Sequence, residues 1–269
     1  MAWPSRWWRG RRPETRLPTT VTIAVPAPSA AILVLDTASE HCHVAVSYLP
    51  AGGHPEVVDA ASELVGNRHS ERALPMIAAV LARNGLAVGD CAGFAFGAGP
   101  GSFTGLRIAC GIVQGLAYGC GRPVLGVGNL HALAAAAAPA GGAILVAIDA
   151  RMNQVYCAAY EATAAAAARG EWREIVAPRL AGKGDIAPLA ATCGAVDLVA
   201  NVEVAMPPGA KRRAWPAPGA QAEAMARIAG QGIRGGRGGP AALAAPLYVR
   251  ERVALTVEER RAAPAGRVA

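Results

Sequence analysis

From residue 31 onward, short apolar runs alternate with longer stretches in which apolar residues recur at helical spacing. AILVL (31–35) reads as a buried strand ending at Asp36, and HVAVSY (43–48) alternates as its hairpin neighbour should. EVVDAA (56–61) offers a third strand. Leu74, Ile77, Ala78 and Leu81 follow the i, i+3, i+4, i+7 pattern and predict a helix over 70–83. GFAFG (93–97) is the next strand. It leads through a glycine-rich turn into a helix over 104–118, a strand PVLGV (123–127) and an alanine-rich helix near 129–138.

The pattern then restarts. ILVAIDARMNQVYCAAY (144–160) echoes ILVLDTASEHCHVAVSY (32–48): an apolar strand, an Asp at its end, a turn and a second strand ending in Tyr. Strands near 171–177 and 195–199 extend this second half, and helices near 182–190 and 220–232 are expected to cover it. The proline-rich stretch 206–220, with Lys211, Arg212 and Arg213, reads as an exposed loop, and 245–251 as a segment packing back on the body. Two consecutive βββαβ-type units point to a duplicated α/β fold with two lobes flanking a cleft, and a generic α/β sandwich whose strand-end aspartates cap turns is the alternative.

The turn between 96 and 104 carries the densest chemistry. Gly97, Gly99 and Gly101 permit backbone approaches that side chains forbid, and Pro100 fixes one torsion among them. Thr104 is placed to cap the following helix. Such a turn is either an anion site at a helix start or a structural corner. Asp36 and Asp149, each ending a first strand, are candidates for nucleotide or cation contacts or for accepting turn amides.

Charge adds little to the body. The chain of 269 residues has net charge +7, and residues 1–30 hold five arginines against one glutamate. That arginine-rich stretch lacks an uninterrupted apolar core of the signal-peptide type and reads as a disordered extension or an upstream start. The alanine runs are too short and too weakly apolar to span a membrane. The six cysteines form no CxxC pair, so reduced buried thiols and a cytoplasmic location are expected. There is no Walker loop, and Ser102 in PGSFTG does not match a nucleophile elbow.

Five blocks in order carry a resemblance to a known family: DTASE (36–40), HSERALPM (69–76), AFGAGPGSFTGLRIACGIVQGLAYG (95–119), AIDARMNQVY (147–156) and PLYVRE (246–251). They resemble the TsaB (YeaZ) family over residues 31–252. The resemblance implies an actin-like ASKHA fold: an N-terminal lobe over 31–138, a C-terminal lobe over 139–252 and a frayed tail over 253–269. It implies a non-catalytic dimerisation and activating subunit of the bacterial machinery that places threonylcarbamoyl on N6 of tRNA adenosine 37. The implied partners are a TsaD-type catalytic subunit, a TsaE-type ATPase and a second copy of the chain, with tRNA as the substrate of the complex. ATP and a divalent metal are implied for the complex and no cofactor for this subunit. Ala98 stands where some members carry a longer charged residue.

The related TsaD subunit is implied to bind metal through HxxxH after the strand matching PVLGV. Asn129 and Leu133 fall at those two places, and His131 has no imidazole four residues away. His69 is likewise followed four on by Ala73, so it reads as a packing or hydrogen-bonding residue. His41 and His43 share a strand face without an acidic or cysteine partner. Ala73, Ile77, Val80 and Leu81 on the first helix, and Arg107, Ile112, Val113 and Leu116 on the second, are the candidate partner interface. Two other readings stand beside this one: an autonomous ASKHA phosphotransferase or hydrolase using Asp36 and the glycine loop, and a tRNA-binding adaptor.

Overall fold

The computed structural model describes residues 29–50, 53–138, 140–195 and 197–250. The readings placed on 1–28 and 251–269 therefore lie outside the described residues. The strands are β1 (Ser29–Asp36), β2 (His41–Pro50), β3 (Glu56–Leu64), β4 (Cys91–Gly99), β5 (Val124–Gly128), β6 (Gly142–Asp149), β7 (Gln154–Ala162), β8 (Arg173–Gly182), β9 (Asp197–Ala200) and β10 (Lys211–Arg212). The helices are α1 (His69–Arg83), α2 (Phe103–Cys120), α3 (Asn129–Ala137), α4 (Ala164–Ala168), α5 (Ile186–Thr192) and α6 (Pro218–Arg234).

The strands make two five-stranded mixed sheets, ordered β3-β2-β1-β4-β5 and β10-β9-β6-β7-β8. In each, an antiparallel meander of three strands is followed by two parallel neighbours. The internal repeat is thus a repeat of topology, and the architecture is that of the two-lobed ASKHA fold.

β1 is buried on both faces, which is why its sequence is a continuous apolar run. Leu33 and Leu35 face one core with α1 and α2 residues such as Ile77, Val80, Ala109 and Val113. Ile32 and Val34 face the other, where Met225, Ala226, Ala229 and Ile233 of α6 pack. The helix expected to cover the second half therefore covers the first sheet instead. The period-3.6 pattern marks an apolar face but not which sheet receives it. Here Gly230 and Gly93 let α6 lie close: an added Cβ would meet Pro55 at 2.7 Å and the Ile233 side chain at 3.3 Å. Ser47 Oγ also donates to the Ala226 carbonyl at 3.1 Å.

α3 joins the lobes. Ala132 packs with the α6 core, while Leu130, Leu133 and Ala134 pack with Ile144, Val146, Tyr160 and Val199 of the second sheet. A helix that is apolar on nearly every side belongs between two layers. The other face of the second sheet is closed by Ile186 and Ala190 of α5.

Residues 241–250 form a strap over α2. Gln114 Nε2 donates to the carbonyls of Ala241 and Ala244 at 3.0 and 2.9 Å, and Leu247 N–H donates to Ala98 O at 2.7 Å. Arg250 then reaches the second lobe, donating to Ala150 O at 2.8 Å and Gln154 Oε1 at 3.0 Å. The β6–β7 turn that it holds is unusual: Arg151, Met152 and Asn153 all have positive φ, 63°, 54° and 58°.

Candidate partner-docking face and interlobe cleft

The glycine-rich turn is a close-packed corner. A Cβ on Gly97 would run into the Asp36 carboxylate, one on Gly101 into the Ala38 carbonyl at 2.6 Å, and one on Gly105 into the Thr37 carbonyl. Gly99 has φ +115° and abuts the strap carbonyl of Leu247, and the Gly99–Pro100 peptide is cis. Ser102 N–H donates to Ala38 O at 2.8 Å, and Thr37 Oγ1 donates to Gly105 O at 2.7 Å. The start of α2 is thereby sewn to the residues after β1. The cap is Ser102, whose Oγ accepts from Gly105 N–H at 3.3 Å, and not Thr104. Helix entry occurs one residue earlier than expected, which puts Thr104 inside the first turn.

Asp36 lies wholly buried beneath the cleft floor. One carboxylate oxygen accepts from Ala38 N–H at 3.0 Å, and the other from Asn129 Nδ2 at 3.0 Å and Gln221 Nε2 at 3.3 Å. Asn129 completes the knot by accepting Gly99 N–H on its Oδ1 at 2.7 Å. A buried carboxylate met by three N–H donors is a satisfied structural anion. Asn129 and Leu133 line the same cleft, so the positions matched to the two histidines do share a face. Their side chains offer an amide already engaged and a hydrocarbon.

The interlobe cleft has a volume of about 930 Å³. On one side it is lined by Ser102, Thr104, His41 and His69, on the other by Asp149, Arg151, Asn201 and Trp215. Asp149 Oδ1 accepts Arg151 N–H at 3.0 Å, and its Oδ2 faces the Arg151 guanidinium at 3.6 Å. It thus holds the turn, as Asp36 does in the first lobe. His69 is packed, and its Nε2 has no hydrogen-bond partner. His43 Nδ1 pairs with Ser62 Oγ at 2.8 Å and its ring stacks on His41; burial pushes its pKa down. Burial holds the Cys42 and Cys91 thiols up at about 12, so neither supplies a thiolate nucleophile. Among the described residues no group of three or more His, Cys, Asp or Glu side chains could hold a metal ion, and no helix is long and apolar enough to cross a membrane.

The expected interface residues divide. Ala73, Ile77, Val80, Leu81 and Val113 are buried in the first core of the single chain. They are the inward stripe of amphipathic helices. The outward stripes are offset by one residue: Leu74 and Ala78 on α1, Gly111, Gly115 and Gly119 on α2. Ile112 and Leu116 are half-buried at the edge between the two faces. Around Gly111, Gly115 and Gly119 an added Cβ would meet nothing within 4 Å. Tyr118, 79% exposed, stands beside them. Arg107 is turned to the strap: its guanidinium lies 3.8 Å from the Phe103 ring centroid, and its Nε donates to Tyr248 Oη at 3.0 Å.

Comparison with known proteins agrees with this architecture. The family model described as TsaD, tRNA N6-adenosine threonylcarbamoyltransferase, matches residues 59–248. The chain is 42% identical over 154 residues to a tRNA threonylcarbamoyladenosine biosynthesis protein TsaB of Haemophilus influenzae, covering 55% of this chain and 63% of that relative. To the Escherichia coli protein of the same name it is 44% identical over 132 residues, 48% of this chain and 54% of the relative. The matched stretches thus span less than two thirds of these curated relatives. The solved structure of YeaZ from Pseudomonas aeruginosa superposes with a TM-score of 0.67 at 33% identity, covering 81% of this chain and 99% of that one. A second Pseudomonas aeruginosa structure, described as similar to peptidase YEAZ, gives the same TM-score at 31% identity over 82% of this chain and 100% of its own. The order of motifs, the duplicated topology and these matches have one conclusion: the chain belongs to the TsaB/YeaZ family.

Proposed function

We propose that this chain is a cytoplasmic dimerisation and activating subunit that supports threonylcarbamoylation of tRNA by a TsaD-type enzyme. The carrying observation is the outward glycine ridge of α2. Glycine in a helix interior costs about 0.8–1 kcal/mol relative to alanine. Gly111, Gly115 and Gly119 have open space where a Cβ would be, so the monomer gains no packing from them. Spaced at i, i+4 and i+8 they share one face. A close-approaching partner helix, seated between this ridge and Leu74 and Ala78, accounts for them. The apolar margin of Ile112, Leu116 and Tyr118 supplies the water release that drives association.

The autonomous-enzyme reading loses its proposed residue, because both Asp36 oxygens are already occupied by N–H donors from within the chain. The partner-subunit reading extends to TsaE and to self-association through the same face. Gly115→Leu separates docking from folding. The side chain enters open space, so the variant is expected to be as stable as the parent or up to about 1 kcal/mol more stable. Its assembly with the cognate TsaD, read by sedimentation, is expected to fall at least ~10-fold, a loss of about 1.4 kcal/mol. Unchanged assembly by a folded variant rejects this face.

A further inference from the structure

The second lobe carries a surface that neither docking nor the family assignment uses. Lys211 and Arg212 are exposed on β10, at the edge of the second sheet, Arg213 follows just after it, and the chain runs from them past Ala214 to Trp215 at the cleft wall. Trp215 is 44% exposed, set between this basic run and Pro216 and Pro218. Arg151, with its side chain 88% exposed on the left-handed turn, lines the same cleft.

The basic side chains are held in different ways. Arg213 is spent on the buried Asp197 at 2.7 Å. Arg212 is steadied by the Val202 carbonyl at 2.9 Å, and among the described residues its ionic neighbour is Glu203, at 3.7 Å and almost fully exposed. Lys211 has no carboxylate within 4.0 Å among the described residues. Charge on an edge strand protects it from pairing with another sheet, which accounts for Lys211 and Arg212. It does not account for a half-exposed indole at the end of the run.

We propose that residues 211–215 form a contact for single-stranded or loop RNA, with phosphates on Lys211 and Arg212 and a base stacked on Trp215 at the cleft mouth. Cations tracking a backbone beside an aromatic platform are the elements of such binding. Arg151, lining the same side of the cleft, adds a further donor to the same path. The identity of the RNA as tRNA rests on the function proposed above, whereas binding itself does not.

The test titrates the full chain into a fluorescein-labelled anticodon stem-loop and reads anisotropy at several salt concentrations. The parent is expected to bind with a salt-dependent affinity. Trp215→Ala should weaken binding by roughly 5-fold or more, the lower end of base–aromatic stacking. Lys211→Glu should weaken it and lower the magnitude of the salt slope by about one. Circular dichroism is expected to be unchanged in both, since the two side chains are exposed. No binding by the parent overturns the proposal, and so do variants with the parental affinity and slope, which would place the binding elsewhere on the chain. Displacement by polyglutamate together with a silent Trp215→Ala would mark the surface as a site for an acidic protein segment instead, and would also overturn it. Loss of RNA binding with intact TsaD-dependent modification, or the converse, separates this proposal from the function above.

Discussion

At the scale of single residues, the cleft floor is organised around one buried charge. Asp36 draws donors from β1's own turn, from the first residue of α3 and from α6. Asn129→Ala removes one donor to the carboxylate and the acceptor of Gly99 N–H, leaving buried polar groups short of partners. The expected loss is about 2–3 kcal/mol, measured by urea unfolding, and a loss near zero would show the knot to be incidental. Gly105→Ala pushes a methyl into the Thr37 carbonyl and should cost at least ~2 kcal/mol, in contrast to substitutions at the open Gly111 and Gly115. The glycine density around Gly97–Gly105 was legible in the sequence, but its purpose was not. The same letters serve an anion turn or a tight corner, and only the partner atoms distinguish them. Gln221 lies 185 residues from Asp36 and carries no local signal of its role.

At the scale of elements, the succession of strands along the chain was legible because β1, β4 and the middle of β6 are buried and show it as apolar runs, whereas their order in the sheets was not. Helix partners did not follow. The apolar stripe of α6 fits either sheet, and its docking on the first is accommodated by Gly93 and Gly230. On α1 and α2 a core stripe and an interface stripe are both apolar, so the sequence names the inward Ala73, Ile77, Val80, Leu81 and Val113 together with Arg107, Ile112, Leu116 and the nearby glycines without dividing them. The row Gly111, Gly115 and Gly119 is not required by the core, since a Cβ at each would meet nothing within 4 Å, and the docking proposal above rests on it. The strap is the element that most directly links α2 to the second lobe. Arg250→Ala releases the left-handed Arg151–Asn153 turn and should speed amide hydrogen exchange at residues 150–154 by ~10-fold or more, with little change in α1. Equal exchange in parent and variant would mean that the turn is held by Asp149 alone.

At the scale of the whole molecule, the lobes are joined by α3, and its imidazole makes the joint sensitive to acid. His131 stacks on Tyr160 of the second sheet with ring centroids 5.0 Å apart, and its Nε2 is buried without a partner. Burial, with Arg237 nearby, pushes its pKa down to about 4. The folded state therefore resists a proton that the unfolded chain accepts near pH 6.5, and stability falls as pH drops from there towards 4. From pH 7 to pH 5 the contribution is about 2 kcal/mol. His131→Phe keeps the stack and should flatten that slope in urea unfolding, while a slope unchanged from the parent would assign the acid sensitivity to other groups such as His43. The two joined lobes flank a cleft whose buried carboxylate already has its donors, and the function proposed above places the work at a partner. The measurement that bears most directly on this is threonylcarbamoyladenosine formation by the cognate TsaD and TsaE, with ATP, tRNA and a supply of threonylcarbamoyl-adenylate, in the presence and absence of this chain. Modification that depends on the chain, fails with Gly115→Leu and does not occur with the chain alone is the predicted result; full modification without it, by components shown to be competent, would contradict the account.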